Sequence, residues 1–261
     1  MKLISLNTWG GKVYRPLMNF VKKHSKDTDI FCFQEMSDTK SDVTQCGEFR
    51  ANLLSEIKGI LSNFQVFYFP VAGGFDFDAN SIAYDLTFGQ AMFVNNSIKV
   101  NSQDNYFITK EDNFQILKKD FSNLPTPLQY LSLVNNGRVY HIFNFHGTPM
   151  PSNKLDTKKR LTEAEKVKKI TNSKTGQKIL VGDFNLLPNT RSIKILENDM
   201  RNLIKEFNIQ RTRSKFSPFY GRLDFQKFAD YIFISKGIKV KSFEVPKIEI
   251  SDHLPMILEF S

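Results

Sequence analysis

Ile179-Leu180-Val181-Gly182-Asp183-Phe184-Asn185 is an apolar run that stops at a carboxylate and an amide. A short aliphatic run bounded by turn formers reads as a buried strand, so polar groups are delivered at its end. Successive side chains of an extended chain alternate sides. That places Asp183 and Asn185 on one side, as a pair able to orient a water and hold a phosphoryl oxygen. Gly-Asp-Phe-Asn is equally a turn composition, and by itself the stretch leaves both readings open. Its weight comes from recurrence: Ile30-Phe31-Cys32-Phe33-Gln34-Glu35, Tyr140 to His146 and Leu3 to Asn7 end in the same way.

Working outward, further apolar and aromatic runs cover Phe64 to Val71, Gln90 to Val94, Tyr231 to Ile234, Val240 to Val245 and Met256 to Phe260. Between the strands lie stretches with helical spacing: Pro16 to His24, Glu48 to Leu61, Thr157 to Ile170 and Met200 to Phe207. Thr157 is placed to cap the third of these. Lys158, Lys159, Arg160, Lys166, Lys168 and Lys169 read as its solvated face. With no repeat of fixed period and no linker, the reading is one α/β domain over residues 1–261. Met36 to Gly47, Ala72 to Gly89 and Phe121 to Gln129 are its long irregular stretches, and Gly73 to Asp78 reads either as a substrate-facing lip or as an ordinary surface loop.

The 261 residues are 41% hydrophobic with 25 Phe, ample for a core. A formal charge of +9 and a pI near 9.4 favour polyanionic partners, nucleic acid or acidic lipid surfaces. Two cysteines, Cys32 and Cys46, give no disulfide framework and point to a reducing compartment. No apolar run approaches the roughly 20 residues of a membrane span, so the expected location is the cytoplasm.

Glu35 offers a hard oxygen ligand of the kind Mg²⁺ takes, one or two protein carboxylates with water and phosphate filling the shell. His146 is a candidate donor to a phosphate oxygen or leaving group, whereas His24 and His141 read as structural. His253 adjoins Asp252, but neighbouring side chains on extended backbone diverge. The acid that orients its imidazole must come from elsewhere, and Asp230 is the best candidate.

Asn7, Phe33-Gln34-Glu35, Asn144-Phe145-His146, Val181 to Asn185, Ala229 to Ile232 and Ser251 to Pro255 form, in this order, a set that resembles the endonuclease/exonuclease/phosphatase superfamily of exonuclease III, pancreatic deoxyribonuclease and sphingomyelinase. The resemblance runs from the first strand to the last. It implies a four-layer α/β sandwich, two packed mixed β-sheets flanked by helices, with a Mg²⁺-dependent (Mn²⁺ also serving) phosphoesterase site at one rim. Carried over by position, Glu35 would be the principal metal ligand with Asn7 and Asp252 near the metal. Asp183 would activate the water, Asn185 would contact the phosphate, and Asp230 with a protonated His253 would form a dyad. A His at 146 resembles the pancreatic-deoxyribonuclease, sphingomyelinase and inositol-phosphatase branches, where abasic-site endonucleases carry a Tyr. Asp76, Asp78 or Asp85 would be its supporting acid.

The first functional expectation is therefore a nuclease, a Mg²⁺-dependent phosphodiesterase with nucleic acid as substrate and no obligate protein partner. Arg191, Arg211, Arg213, Lys215 and Arg222, interleaved with Phe216, Phe219 and Tyr220, suit phosphate contact and base stacking; Arg191 and Arg213 are taken as the substrate-binding pair. The alternatives are a phosphatase or phosphodiesterase on inositol phosphates or phospholipid head groups, and a catalytically silent binding member. The intact Glu35, Asp183, Asn185, Asp230 and His253 argue against silence.

Overall fold

The computed structural model describes residues 1–76, 80–110 and 123–261. Its strands are β1 (Lys2–Asn7), β2 (Ile30–Asp38), β3 (Gln45–Cys46), β4 (Phe49–Arg50), β5 (Phe64–Gly73), β6 (Thr87–Asn95), β7 (Lys99–Thr109), β8 (Thr126–Asn135), β9 (Arg138–His146), β10 (Gln177–Asp183), β11 (Arg201–Asn202), β12 (Asp230–Ile234), β13 (Val240–Glu244) and β14 (Met256–Phe260). The helices are α1 (Tyr14–His24), α2 (Leu53–Ile60), α3 (Lys158–Asn172), α4 (Arg191–Glu197) and the single turn α5 (Leu203–Glu206).

Two six-stranded mixed sheets result, ordered β13-β14-β1-β2-β6-β5 and β11-β12-β10-β9-β8-β7. Each has one parallel pair at its middle, β1 with β2 and β9 with β10, between antiparallel neighbours. Central strands covered on both faces need unbroken apolar sequence. Leu3, Ile30 and Cys32 accordingly enter the core shared by the two sheets, while Ile4, Leu6, Phe31 and Phe33 face Leu17, Phe20 and Val21 of α1 and Leu53, Leu54 and Ile57 of α2. On the other side α3 and α4 bury Val167, Ile193 and Leu196. This is the expected four-layer α/β sandwich.

Near one rim the inter-sheet core turns polar. Gln34 Nε2 donates to Asn144 Oδ1 at 2.6 Å, Asn144 Nδ2 to the Phe33 carbonyl at 3.1 Å, and Gln90 Nε2 to the Asn144 carbonyl at 2.8 Å. Buried amides bonded in this way fix the offset of the sheets directly beneath the strand ends.

Several elements differ from the sequence expectation. β7 carries Ser102, Gln103, Asp104 and Asn105 on an exposed sheet edge, so no apolar alternation marks it. β8 begins inside Phe121 to Gln129, of which 121 and 122 lie outside the described residues. β2, β5 and β6 extend into the other two stretches read as irregular. The Met200 to Phe207 helix is a two-residue strand and one turn, and α4 is not among the helices expected from spacing. No helix among the described residues is long and apolar enough to cross a membrane.

Candidate active site

β2 does not stop at Glu35. Its register against β6 slips between Phe33 and Met36, and Glu35 sits in that irregularity with a φ of 55°. A bulge re-aims a side chain, and here the carboxylate is turned toward the rim, where Asn7 of β1 meets it. Asn7 Nδ2 donates to Glu35 Oε1 at 2.9 Å and to Asp183 Oδ2 at 3.1 Å, while its Oδ1 accepts from the Trp9 N–H at 3.0 Å. Asn7, expected near the metal, thus clamps two carboxylates through its nitrogen. His146 Nε2 lies 3.9 Å from Glu35 Oε1 and 3.8 Å from Asp183 Oδ2.

Gly182 has a φ of 135°, and a Cβ there would sit 1.9 Å from the Phe145 carbonyl oxygen. Only glycine allows β10 so close to β9 immediately before Asp183. Beyond it the chain turns: Asn185 has a φ of 53°, and its N–H donates to Asp183 Oδ1 at 2.8 Å. Asp183 and Asn185 both line the cavity, but a turn brings them together where extended alternation was expected. Asn185 Nδ2 donates to the Gly147 carbonyl at 3.0 Å and its Oδ1 accepts from Lys154 Nζ. The amide expected on the phosphate thus has its oxygen and one of its two N–H donors taken by protein partners.

His253 is brought in by short pairings of residues 212–214 with 251–254, where Leu254 N–H donates to the Thr212 carbonyl at 2.7 Å and Ser251 Oγ to the Asn7 carbonyl at 2.7 Å. Its Nδ1 is 2.9 Å from both carboxylate oxygens of Asp230, and Nε2 is 3.5 Å from Asp183 Oδ2. Arg213, 9% exposed, approaches the same Nε2 at 2.6 Å through NH1 and pairs with Asp252 Oδ2 at 2.7 Å through NH2. A guanidinium only donates, so Nε2 is the acceptor and the imidazole proton sits on Nδ1, toward Asp230. Two expectations change. Arg213 braces the dyad from inside, and Asp252 answers its charge.

Burial, then the Arg213 charge, pushes His253 down to about 4, so the expected imidazolium is a neutral imidazole at neutral pH. Burial and the neighbouring Asp183 push Asp230 up. Burial alone would raise Asp183 as well, but His253, Lys154, His146 and Arg213 outweigh it and hold the carboxyl at about 2.

Glu35, His146, Lys154, Asp183, Arg213 and His253 floor a cavity of about 370 Å³ whose walls include Trp9, Phe49, Val71, Phe75, Phe88, Pro127, Met150 and Phe219. Of the Gly73 to Asp78 stretch, Phe75 is part of that wall, and 77 and 78 lie outside the described residues. Arg191 is exposed at the start of α4, outside the lining, because Asp156 binds the backbone N–H groups of residues 191 and 192 at 2.6 and 2.9 Å and fixes the helix end away from the rim. Asp85 is spent on Thr39, Lys40 and Ser41, and Asp76 on Asn80; Asp78 lies outside the described residues. Among the described residues, Glu35 and Asp183 are the acids within 4 Å of His146.

Residues 4–253 match the model of the Endonuclease/Exonuclease/phosphatase family. The chain belongs to this family. Its members are phosphoester hydrolases that typically use a divalent metal. Solved structures share the fold at low identity: a family protein from Leptotrichia buccalis (18% identical, covering 100% of this chain and 99% of that one, TM-score 0.71), the human Nocturnin catalytic domain (18%, 100% and 93%, 0.68) and a mannosyl-6-phosphatase from Bacteroides thetaiotaomicron (18%, 100% and 99%, 0.66). No curated protein sequence matches the chain.

The family's metal has a fitting donor set here. Glu35, His146 and Asp183 each present one ligand atom, all within 4.8 Å of one another. Two carboxylates and one imidazole suit a hard divalent cation. Asp183, Asp230 and His253 are grouped as tightly, but Asp230 and both ring nitrogens of His253 already have strong protein partners. Glu35 and Asp183 of the first trio are the candidate metal ligands, with His146 beside them. Sequence reasoning missed Lys154 and the brace formed by Arg213. Lys154 stands in an irregular loop with no periodic signal, and Arg213 looked like one cation among several.

Proposed function

We propose that the protein is a divalent-metal-dependent phosphodiesterase acting on nucleic acid, with Mg²⁺ or Mn²⁺ bound at Glu35 and Asp183 beside His146. The observation that carries this reading is the juxtaposition of an anion-handling floor with a wall of flat apolar side chains, Trp9, Phe49, Phe75, Phe88 and Phe219. About 370 Å³ is the scale of a pocket for one small ligand, and base stacking on aromatics contributes about 1–3 kcal/mol per base. The cations in the lining, Lys154 and Arg213, are both engaged with protein groups. That arrangement serves one phosphoryl group better than the many charges of an inositol polyphosphate. From the Phe219 wall outward, Arg222 lies over Phe219 (5.3 Å), Arg211 over Tyr220 (5.2 Å) and Lys215 over Phe216 (5.8 Å), a cationic and aromatic track for the rest of a strand. Free thiols at Cys32 and Cys46 fit a cytoplasmic setting.

Bound metal supplies positive charge to the phosphoryl oxygens and lowers the pKa of water. Asp183, kept ionised, orients an attacking water by accepting its proton in a hydrogen bond. Asp230 holds the neutral imidazole of His253 against Asp183, and Arg213 contributes the fixed positive charge that His253 does not. His146, half-buried at the mouth, is the donor facing the leaving oxygen.

The experiment is a panel of single-stranded, duplex and abasic DNA, RNA, dinucleotides, inositol phosphates, mannose 6-phosphate and phospholipid head-group esters, with and without chelator. Chelator-sensitive cleavage of nucleic acid or dinucleotides, declining as salt rises, is expected. Turnover confined to sugar, inositol or lipid esters would overturn the substrate class.

A further inference from the structure

Lys154 is 7% exposed and lines the cavity, and its ammonium donates to one acceptor among the described residues, Asn185 Oδ1. An ammonium has three N–H donors. Burying such a charge costs several kcal/mol, which the carboxylates of Asp183 and Asp230 offset only in part, and an apolar side chain of similar length would fill the same space without that cost. The backbone is fixed as well. Lys154 has a φ of 56°, and its carbonyl accepts from the Leu187 N–H at 2.9 Å. A residue without glycine's freedom is thus held in the left-handed region with its amine at the cavity floor beside Asn185, whose own Nδ2 is turned to the Gly147 carbonyl.

We infer that Lys154 contacts the phosphoryl group of the substrate, donating its remaining N–H groups to a non-bridging oxygen, and that Asn185 is a positioning residue acting through Lys154. The inference rests on the phosphoesterase reading of this site. It reassigns to a loop residue the contact that the strand-end amide was expected to make.

Three variants, Lys154→Met, Asn185→Ala and the double, test it in two assays. Titration with inorganic phosphate, followed by calorimetry, needs no turnover. Lys154→Met is expected to weaken phosphate binding roughly 10- to 100-fold, as loss of a charge-assisted hydrogen bond does. In turnover of the best phosphodiester, Lys154→Met lowers kcat/KM about 100- to 1,000-fold. The double variant is then no worse than Lys154→Met alone, the signature of two residues acting as one. Losses that multiply would mean that Asn185 touches phosphate independently. Unchanged phosphate affinity would make Lys154 structural. Either result overturns the inference. Absence of hydrolysis of every phosphoester would instead sink the proposed function and leave the phosphate titration to decide on Lys154.

Discussion

His253 is held between a carboxylate and a guanidinium, and their opposite demands set its chemistry. Asp230 accepts from Nδ1 and Arg213 donates to Nε2, which leaves no room for a second ring proton. In an unfolded chain the imidazole titrates at its ordinary 6.5, whereas burial and Arg213 push it down to about 4 in the fold. Between those values the unfolded chain binds a proton that the folded one refuses. Stability is therefore present above about pH 6.5 and is lost as pH falls toward 4, by about 3 kcal/mol for this group. Asp183, held at about 2, adds a loss of the same sign at lower pH, and Asp230, pushed up, works in the opposite sense. Urea unfolding of His253→Gln should show a flatter slope between about pH 6.5 and 4 than the parent, and an unchanged slope would refute the assignment. The pairing of His253 with Asp230 was legible because adjacent side chains diverge. The neutral state was not, since it depends on Arg213, forty positions away, arriving through a two-segment bridge.

At the scale of elements, α3 matters less for its length than for its first turns. Arg160, expected on a solvated face, is 1% exposed. Its guanidinium donates to the carbonyls of Thr148, Pro149, Pro151 and Leu155, and Glu163 one turn later accepts from the Thr148 and Thr126 hydroxyls. Together they shape the loop that carries Lys154. Arg160→Met should cost at least about 3 kcal/mol in urea unfolding, since several buried carbonyls lose their donor, and lower kcat/KM through Lys154. A stability loss under about 0.5 kcal/mol, the range of ordinary surface changes, would contradict this. Helical spacing correctly located α3 and its Thr157 cap, but a row of six cations hides which one turns inward. β2 shows the same limit: its apolar run was plain, whereas the bulge that aims Glu35 has no signal in residue type.

For the molecule as a whole, the site is a consequence of topology. The parallel pairs β1/β2 and β9/β10 bring Asn7, Glu35, His146 and Asp183 to one rim, and the chain enters antiparallel β12 and β14 from that same rim, bringing Asp230 and His253. The polar ends of these strands were readable in order along the sequence. The polar edge β7, the loop lysine and the cavity wall were not, because each depends on which surfaces face each other after folding. Covering both sheet faces with helices leaves the rim as the place where chemistry meets solvent. The most direct test of this account is the rate of phosphodiester hydrolysis with Mg²⁺ or Mn²⁺, compared between the parent protein, the parent with chelator and Glu35→Ala. The account predicts turnover by the parent, abolished by chelator and reduced at least about 100-fold in Glu35→Ala. Hydrolysis that survives both chelator and Glu35→Ala would contradict it.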